Sequence, residues 1–137
     1  MSAGLLLALL GQSAMRRLRA AHTASGLSPR RFHLLALLHD RGPMGQRELG
    51  ELMDLDASVL VTLLNPLEAD GLVSRRRDLA DRRRHTVHLT DTGRARLGEA
   101  ARAQREAEDA LFAGLDNNQR EQLRQLLLSL RDGITTA

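Results

Sequence analysis

The 137-residue chain holds no cysteine, no tryptophan and no tyrosine, and Phe32 and Phe112 are its only phenylalanines. Without cysteine there is no disulfide, no cysteine–zinc site and no thiol-based redox switch. So few aromatics leave little with which to stack unpaired RNA bases. Lysine is absent too: all 20 basic residues are arginine, read here as a mark of GC-rich coding rather than a functional choice. The apolar run at residues 5–10 is too short to span a bilayer. No basic segment precedes it and no clear cleavage site follows. A cytoplasmic protein with no membrane partner is expected.

What is present fits one domain, long enough to bury a core. Apolar residues make up 42% and charged residues 27%, which excludes a disordered or membrane-embedded chain. The formal net charge of +3 is modest. Its distribution says more, because the basic excess gathers in residues 72–93, LVSRRRDLADRRRHTVHLTDTG. Val73 and Leu79 bracket one alternating run and Val87 and Leu89 lie two apart in another, a period that suits strands with one buried face. Asp78, Leu79, Ala80 and Asp81 form the expected turn. Around it crowd Arg75, Arg76, Arg77, Arg82, Arg83 and Arg84. Like charges that close repel one another, and extended nucleic-acid phosphate is the obvious counterpart. The competing reading is a solvated basic loop.

Upstream, residues 47–71 read as two short helices joined by a turn. Leu49, Leu52 and Met53 give the first an apolar face; Val59, Leu60, Leu63, Leu64 and Leu67 do so for the second, at spacings of three and four. Asp56 is placed to cap the second helix and Gly71 to end it. In a helix-turn-helix the second helix enters the DNA major groove. Its face opposite the apolar stripe carries Ala57, Ser58, Val61, Thr62 and Asn65. Ser, Thr and Asn can bond base edges, and Ala or Val can touch a thymine methyl. Pro66 lies inside this helical pattern, where its ring predicts a kink or early break near Asn65.

Helix, turn, helix and basic hairpin in that order make a winged helix-turn-helix. The run from Leu67 through Glu68, Gly71, Leu72 and Val73, then Arg75, then Asp78, Asp81, Arg82 and Arg83, closing in Val87, Leu89, Thr90 and Gly93, resembles the signature of the MarR family. The resemblance covers roughly the whole chain. It implies a dimeric transcription regulator, usually a repressor, whose DNA binding a small ligand relieves. It implies duplex DNA contacts from Ser58, Val61, Thr62, Asn65, Arg75, Arg77, Arg82, Arg83 and Arg84, with Asp78 and Asp81 as a structural pair holding the wing-tip arginines. One of Arg82 and Arg83 is expected in the minor groove; the sequence leaves open which. Relatives commonly carry a basic residue near Thr62 or Pro66, and this chain has none there. The family's oxidant-sensing branch uses cysteine, so that mechanism does not apply.

The ends complete the reading. A first helix spans about residues 5–22 and is apolar nearly all round at its start, which requires burial on more than one side. Ser28 and Pro29 open a second helix, ended by Arg41, Gly42 and Pro43. Gly45 stands where relatives often have a capping Ser or Thr, leaving that helix start free to fray. Thr90 caps a long helix to about residue 115. Asp116 and Gln119 form a capping box for a last helix with a leucine stripe. Leu6, Leu9 and Leu10 near one end and Leu123, Leu126, Leu127 and Leu130 near the other have no evident partner within the chain, so a homodimer interface is expected there. The expected division is 1–27 for the N-terminal dimerisation helix, 28–93 for the DNA-binding region and 94–137 for the C-terminal dimerisation helices. The fold class is mainly α with a small β-hairpin wing.

By position, Met15, Arg16, Arg19, His22, Phe32 and His33 could line the effector crevice that the family implies; the alternative puts Phe32 in the core and the arginines in solvent. No cofactor and no metal are expected. His85 and His88 face opposite sides of a strand, and His33 and His39 lie on different faces of a helix. No Gly-rich phosphate loop, nucleophile elbow or carboxylate pair stands out, so an enzyme is not expected. The alternative function is a winged-helix module binding RNA or an acidic protein.

Overall fold

A computed structural model describes residues 1–135. The elements run α1 (Ala3–Ser25), α2 (Pro29–Arg41), β1 (Met44–Gly45), α3 (Gln46–Leu52), α4 (Ala57–Ala69), β2 (Val73–Arg77), β3 (His85–Leu89), α5 (Asp91–Leu111) and α6 (Asn117–Thr135). The architecture is mainly helical with one small antiparallel sheet, ordered β1-β3-β2.

Local chemistry sets most boundaries. The Ser28 hydroxyl accepts from the Arg31 N–H at 3.3 Å, with Pro29 opening α2. The Thr90 hydroxyl accepts from the Gly93 N–H at 2.9 Å and starts α5. The capping box at α6 is reciprocal: Asp116 N–H donates to Gln119 at 2.9 Å and Gln119 N–H donates to Asp116 at 2.8 Å. After α4 the chain reverses through Gly71, whose φ of 74° is costly for any residue with a Cβ. Gly93 is required for another reason. A Cβ there would lie 2.0 Å from the Leu72 carbonyl oxygen, so glycine lets α5 start hard against the wing's first strand.

The core lies between α2, the helix-turn-helix and the sheet. Leu27, Leu34, Leu35, Leu49, Leu60, Leu64, Leu67, Leu72, Val73 and Val87 are its fully enclosed side chains, joined by Leu97 and Ala100 of α5. Helix α5 also packs along α1. The two ends of the chain look different. Leu5, Leu6, Leu7, Leu9 and Leu10 of α1 are exposed, as are Leu126, Leu127 and Leu130 of α6, with Leu123 half-buried. No residue of α6 is buried.

Several sequence expectations are corrected. Leu79 does not belong to a strand: β2 ends at Arg77 and Leu79 is fully exposed at the wing tip. Residues 78–84 all belong to the tip, between the end of β2 and the start of β3. The sheet has a third strand, β1, which pairs Met44 with Val87 and Gly45 with Thr86. Gly45 makes no side-chain cap, yet this pairing anchors the start of α3. Helix α4 runs unbroken past Pro66 to Ala69. Leu67, buried in the core, and Glu68, tied to the wing, hold the turn that the proline weakens. Asp56 sits at the cap position of α4, but its side chain bonds no helix N–H. Val59 is exposed rather than part of the apolar face. Helix α5 ends at Leu111, short of residue 115.

Candidate nucleic-acid interface

Helix α4 presents Ser58, Thr62 and Asn65 on its exposed side, with Val61 half-buried beside them. The Thr62 hydroxyl donates to the Ser58 carbonyl at 3.0 Å. That bond occupies its proton and leaves the oxygen's lone pairs and the methyl group to a ligand. The stretch is short-chained and uncharged, suited to close approach rather than to long-range attraction.

Charge is supplied by the wing. Strands β2 and β3 pair from Val73↔Leu89 to Arg77↔His85. The tip is then built from two aspartates in different jobs. Asp78 Oδ1 accepts from the Ala80 N–H at 2.9 Å, while the Asp78 N–H donates to the Arg84 carbonyl at 2.9 Å. Asp81 Oδ1 accepts from the Arg83 N–H at 3.1 Å, and its carboxylate pairs with Arg83 at 3.4 Å and Arg84 at 3.6 Å. The expectation that both aspartates hold arginines is therefore half corrected: Asp81 does so, whereas Asp78 shapes backbone, because its carboxylate is used within the turn. The side chains of Arg77 and Arg82 are exposed and make no hydrogen bond or ion pair among the described residues.

Arg75 differs from the other wing arginines. Its backbone N–H donates to Glu68 Oε2 at 3.0 Å, its Nε to the same oxygen at 3.1 Å and its Nη2 to Glu68 Oε1 at 3.2 Å. The same Nη2 donates to Asn65 Oδ1 at 2.7 Å. A bidentate guanidinium–carboxylate pair is geometrically demanding and charge-assisted. It ties α4 to β2, making helix and wing one unit. The Arg75 hydrogen bonds hold the Glu68 carboxyl below its ordinary value, against an opposing effect of burial. On β3, burial and the nearby Arg76 charge push the His88 imidazole down. Glu68 was not singled out for a role in sequence. Only its spacing of seven from Arg75, across a turn, could have hinted at the brace.

A concavity of about 740 Å³ opens between α3, the start of α4 and the base of the wing, lined by Gln46, Arg47, Ala57, Arg83, Arg84 and His85 among others. It brings three arginines to one recess on the wing side of the helix-turn-helix.

The residues expected around an effector lie on α1 and α2. His22 and Phe32 do meet, edge to face, with ring centroids 5.3 Å apart. Phe32 packs against the core. His22 is 7% exposed, and its Nδ1 has no hydrogen-bond partner. Met15, Arg16, Arg19 and His33 are exposed. Among the described residues no helix is long and apolar enough to cross a membrane.

Comparison with known proteins agrees with this geometry. A family model described as the MarR family matches residues 27–85. An uncharacterised HTH-type transcriptional regulator of Bacillus subtilis, YdgJ, is 31% identical over 110 residues, 80% of this chain and 67% of that protein. The crystal structure of a probable transcriptional regulator from Pseudomonas aeruginosa is 33% identical, with a TM-score of 0.73 over 94% of this chain and 96% of that one. A structure concerning regulation of DNA binding of Bordetella bronchiseptica BpsR by 6-hydroxynicotinic acid is 26% identical, with a TM-score of 0.76 over 96% of this chain and 94% of that one.

Proposed function

This chain belongs to the MarR family of DNA-binding transcriptional regulators, which are not enzymes, and from that premise we propose that it acts in the cytoplasm as a homodimeric, ligand-responsive repressor on a palindromic duplex operator. The observation that carries the reading is the brace from Glu68 and Asn65 to Arg75. It joins a short-chained recognition helix to an arginine wing, so that both can enter adjacent grooves as one body. Ser58, Val61, Thr62 and Asn65 read base edges in the major groove. Arg77 and Arg84 meet phosphate. Arg82 enters the minor groove, since Arg83 and Arg84 share the Asp81 carboxylate and Arg82 is unpaired. Arg75, spent on Glu68, positions rather than contacts.

A second copy covers the leucines of α1 and α6. Fully burying one leucine is worth about 1.5–3 kcal/mol, and a contiguous patch of them is poorly tolerated on a monomer. The effector binds near Met15, Arg16, Arg19, His22, Phe32 and His33. Support comes from the unpartnered Nδ1 of buried His22, a polar atom with no bond to lose and one to gain. A ligand can relieve repression only by binding the DNA-free and DNA-bound arrangements with unequal affinity.

Selection of bound duplexes from a random pool, with excess RNA as competitor, followed by footprinting, tests this. Two protected half-sites centred about 34–36 Å apart, or a multiple of that, are expected. Equal competition by RNA, or a single asymmetric half-site, would overturn it. Transcription from the selected operator, measured with and without the protein, gives the sign of regulation.

A further inference from the structure

The brace has a consequence for what the recognition helix can read. A guanidinium carries donors only. The Asn65 atom that accepts from Arg75 Nη2 at 2.7 Å is therefore the amide oxygen, and the amide nitrogen keeps its donors unused among the described residues. Asn65 is exposed, while Arg75 is held from its other side by Glu68 and cannot turn away without breaking that pair. An unconstrained asparagine commonly reads adenine by offering one acceptor to N6 and one donor to N7. An amide oxygen tied to Arg75 keeps a second lone pair, but the bond fixes the orientation of the group, so its two N–H donors are what it can offer a base without breaking that bond. Guanine presents two acceptors in the major groove, N7 and O6, and no donor there.

We propose that Arg75 is a specificity-determining positioning residue: by fixing the orientation of the Asn65 amide, it turns Asn65 into a donor that selects guanine over adenine. The inference rests on the reading of α4 as the recognition helix. Glu68 serves by holding the Arg75 guanidinium in place, so base choice at one position depends on a wing residue that touches no base.

The test is selection from a random duplex pool by wild-type protein, Asn65→Asp and Arg75→Ala, with affinity measured against salt and thermal midpoints recorded for each. Wild type should favour guanine over adenine about tenfold at one base pair of each half-site. Asn65→Asp keeps an acceptor for Arg75 and loses the amide donors. It should stay folded, with guanine replaced by cytosine at that base pair alone, since a carboxylate accepts from cytosine N4. Arg75→Ala frees the amide to flip, so adenine should rise at the same position while the salt slope stays unchanged. Affinity lost evenly across all sequences would show a merely structural role and overturn the proposal. So would a salt slope lowered by about one unit in Arg75→Ala, the mark of a phosphate contact. If wild type selects a duplex but Asn65→Asp moves no single base, the inference fails and the operator reading stands. If wild type enriches no duplex, both fail.

Discussion

The winged centre and the two ends of this chain carry similar leucine-rich sequence in opposite states. The whole buried apolar cluster falls within residues 27–100, where leucines from α2, α3, α4 and the wing enclose one another. Helix α6 buries nothing, and α1 buries only His22. Periodicity alone reports that a helix has an apolar face; it does not report what covers that face. The difference separates a region satisfied by its own chain from one that needs a second surface. Under the proposed function it also divides the labour: one region is assigned to DNA, and the other to bringing two copies of it onto a duplex.

The strongest way to break that contrast is at the exposed end. Replacing Leu126 and Leu127 together with Asp should give monomer or aggregate by sedimentation. A monomer should bind the operator about 10²–10⁴-fold more weakly, because the second half-site no longer adds avidity. A persistent dimer would place the interface elsewhere. The matching lesion in the centre is Leu64→Ala. It should cost about 2–5 kcal/mol of folding stability through the cavity it opens, read by denaturant unfolding, while the chains remain associated.

Within the DNA-binding region the contrast sharpens into two elements. Ser58→Ala or Thr62→Ala should cost about 1–3 kcal/mol on the operator and little on scrambled duplex. Arg82→Ala should instead weaken binding to every sequence and reduce the slope of log affinity against log salt by about one unit. Affinity titrations over a salt series, on both duplexes, distinguish the two. Arg83→Ala is the control: it loosens Asp81 and the tip backbone, so it should affect binding less sharply than loss of Arg82 if Arg82 is the inserted residue.

The smallest expected effect is on acid stability. His88 is held below its ordinary value of 6.5, so the unfolded chain takes up its proton first and stability falls as pH drops through 6.5 toward the folded value. Glu68 is held below 4.5, so its contribution is present above that value and is lost as pH falls through the lower folded one. Thermal midpoints between pH 8 and pH 3.5, a range of about these ordinary values on either side, should fall in two stages. Glu68→Gln should shrink the lower stage, to which Glu121, held down by Gln125 and Arg124, also contributes, and His88→Asn should remove the upper one.

Much of the fold was legible because its signals are local. The Ser28, Thr90 and Asp116–Gln119 caps act within one turn of helix, and their hydrogen bonds form as the residue types predict. The order of helices and hairpin follows from periodicity and punctuation. What escaped depends on contacts distant in sequence. Strand β1 holds two residues, too few for any alternation, and exists only because β3 offers an open edge. The unbroken α4 contradicts a sound rule about proline, since Leu67 and Glu68 are anchored by partners outside the helix. In the site, the exposed face of α4 and the basic wing could be read directly. The sorting of its arginines could not. Arg75 turns inward to Glu68, Arg83 and Arg84 share Asp81, and Arg82 stands free; six residues of one type acquire different roles from carboxylates whose positions only folding decides.

Sedimentation of the wild-type protein at micromolar concentration, alone and with a selected duplex, tests the central contrast most directly. Two chains in solution and two chains per duplex, protecting both half-sites, are the predicted result. A folded single chain that sediments alone and protects one half-site would contradict it.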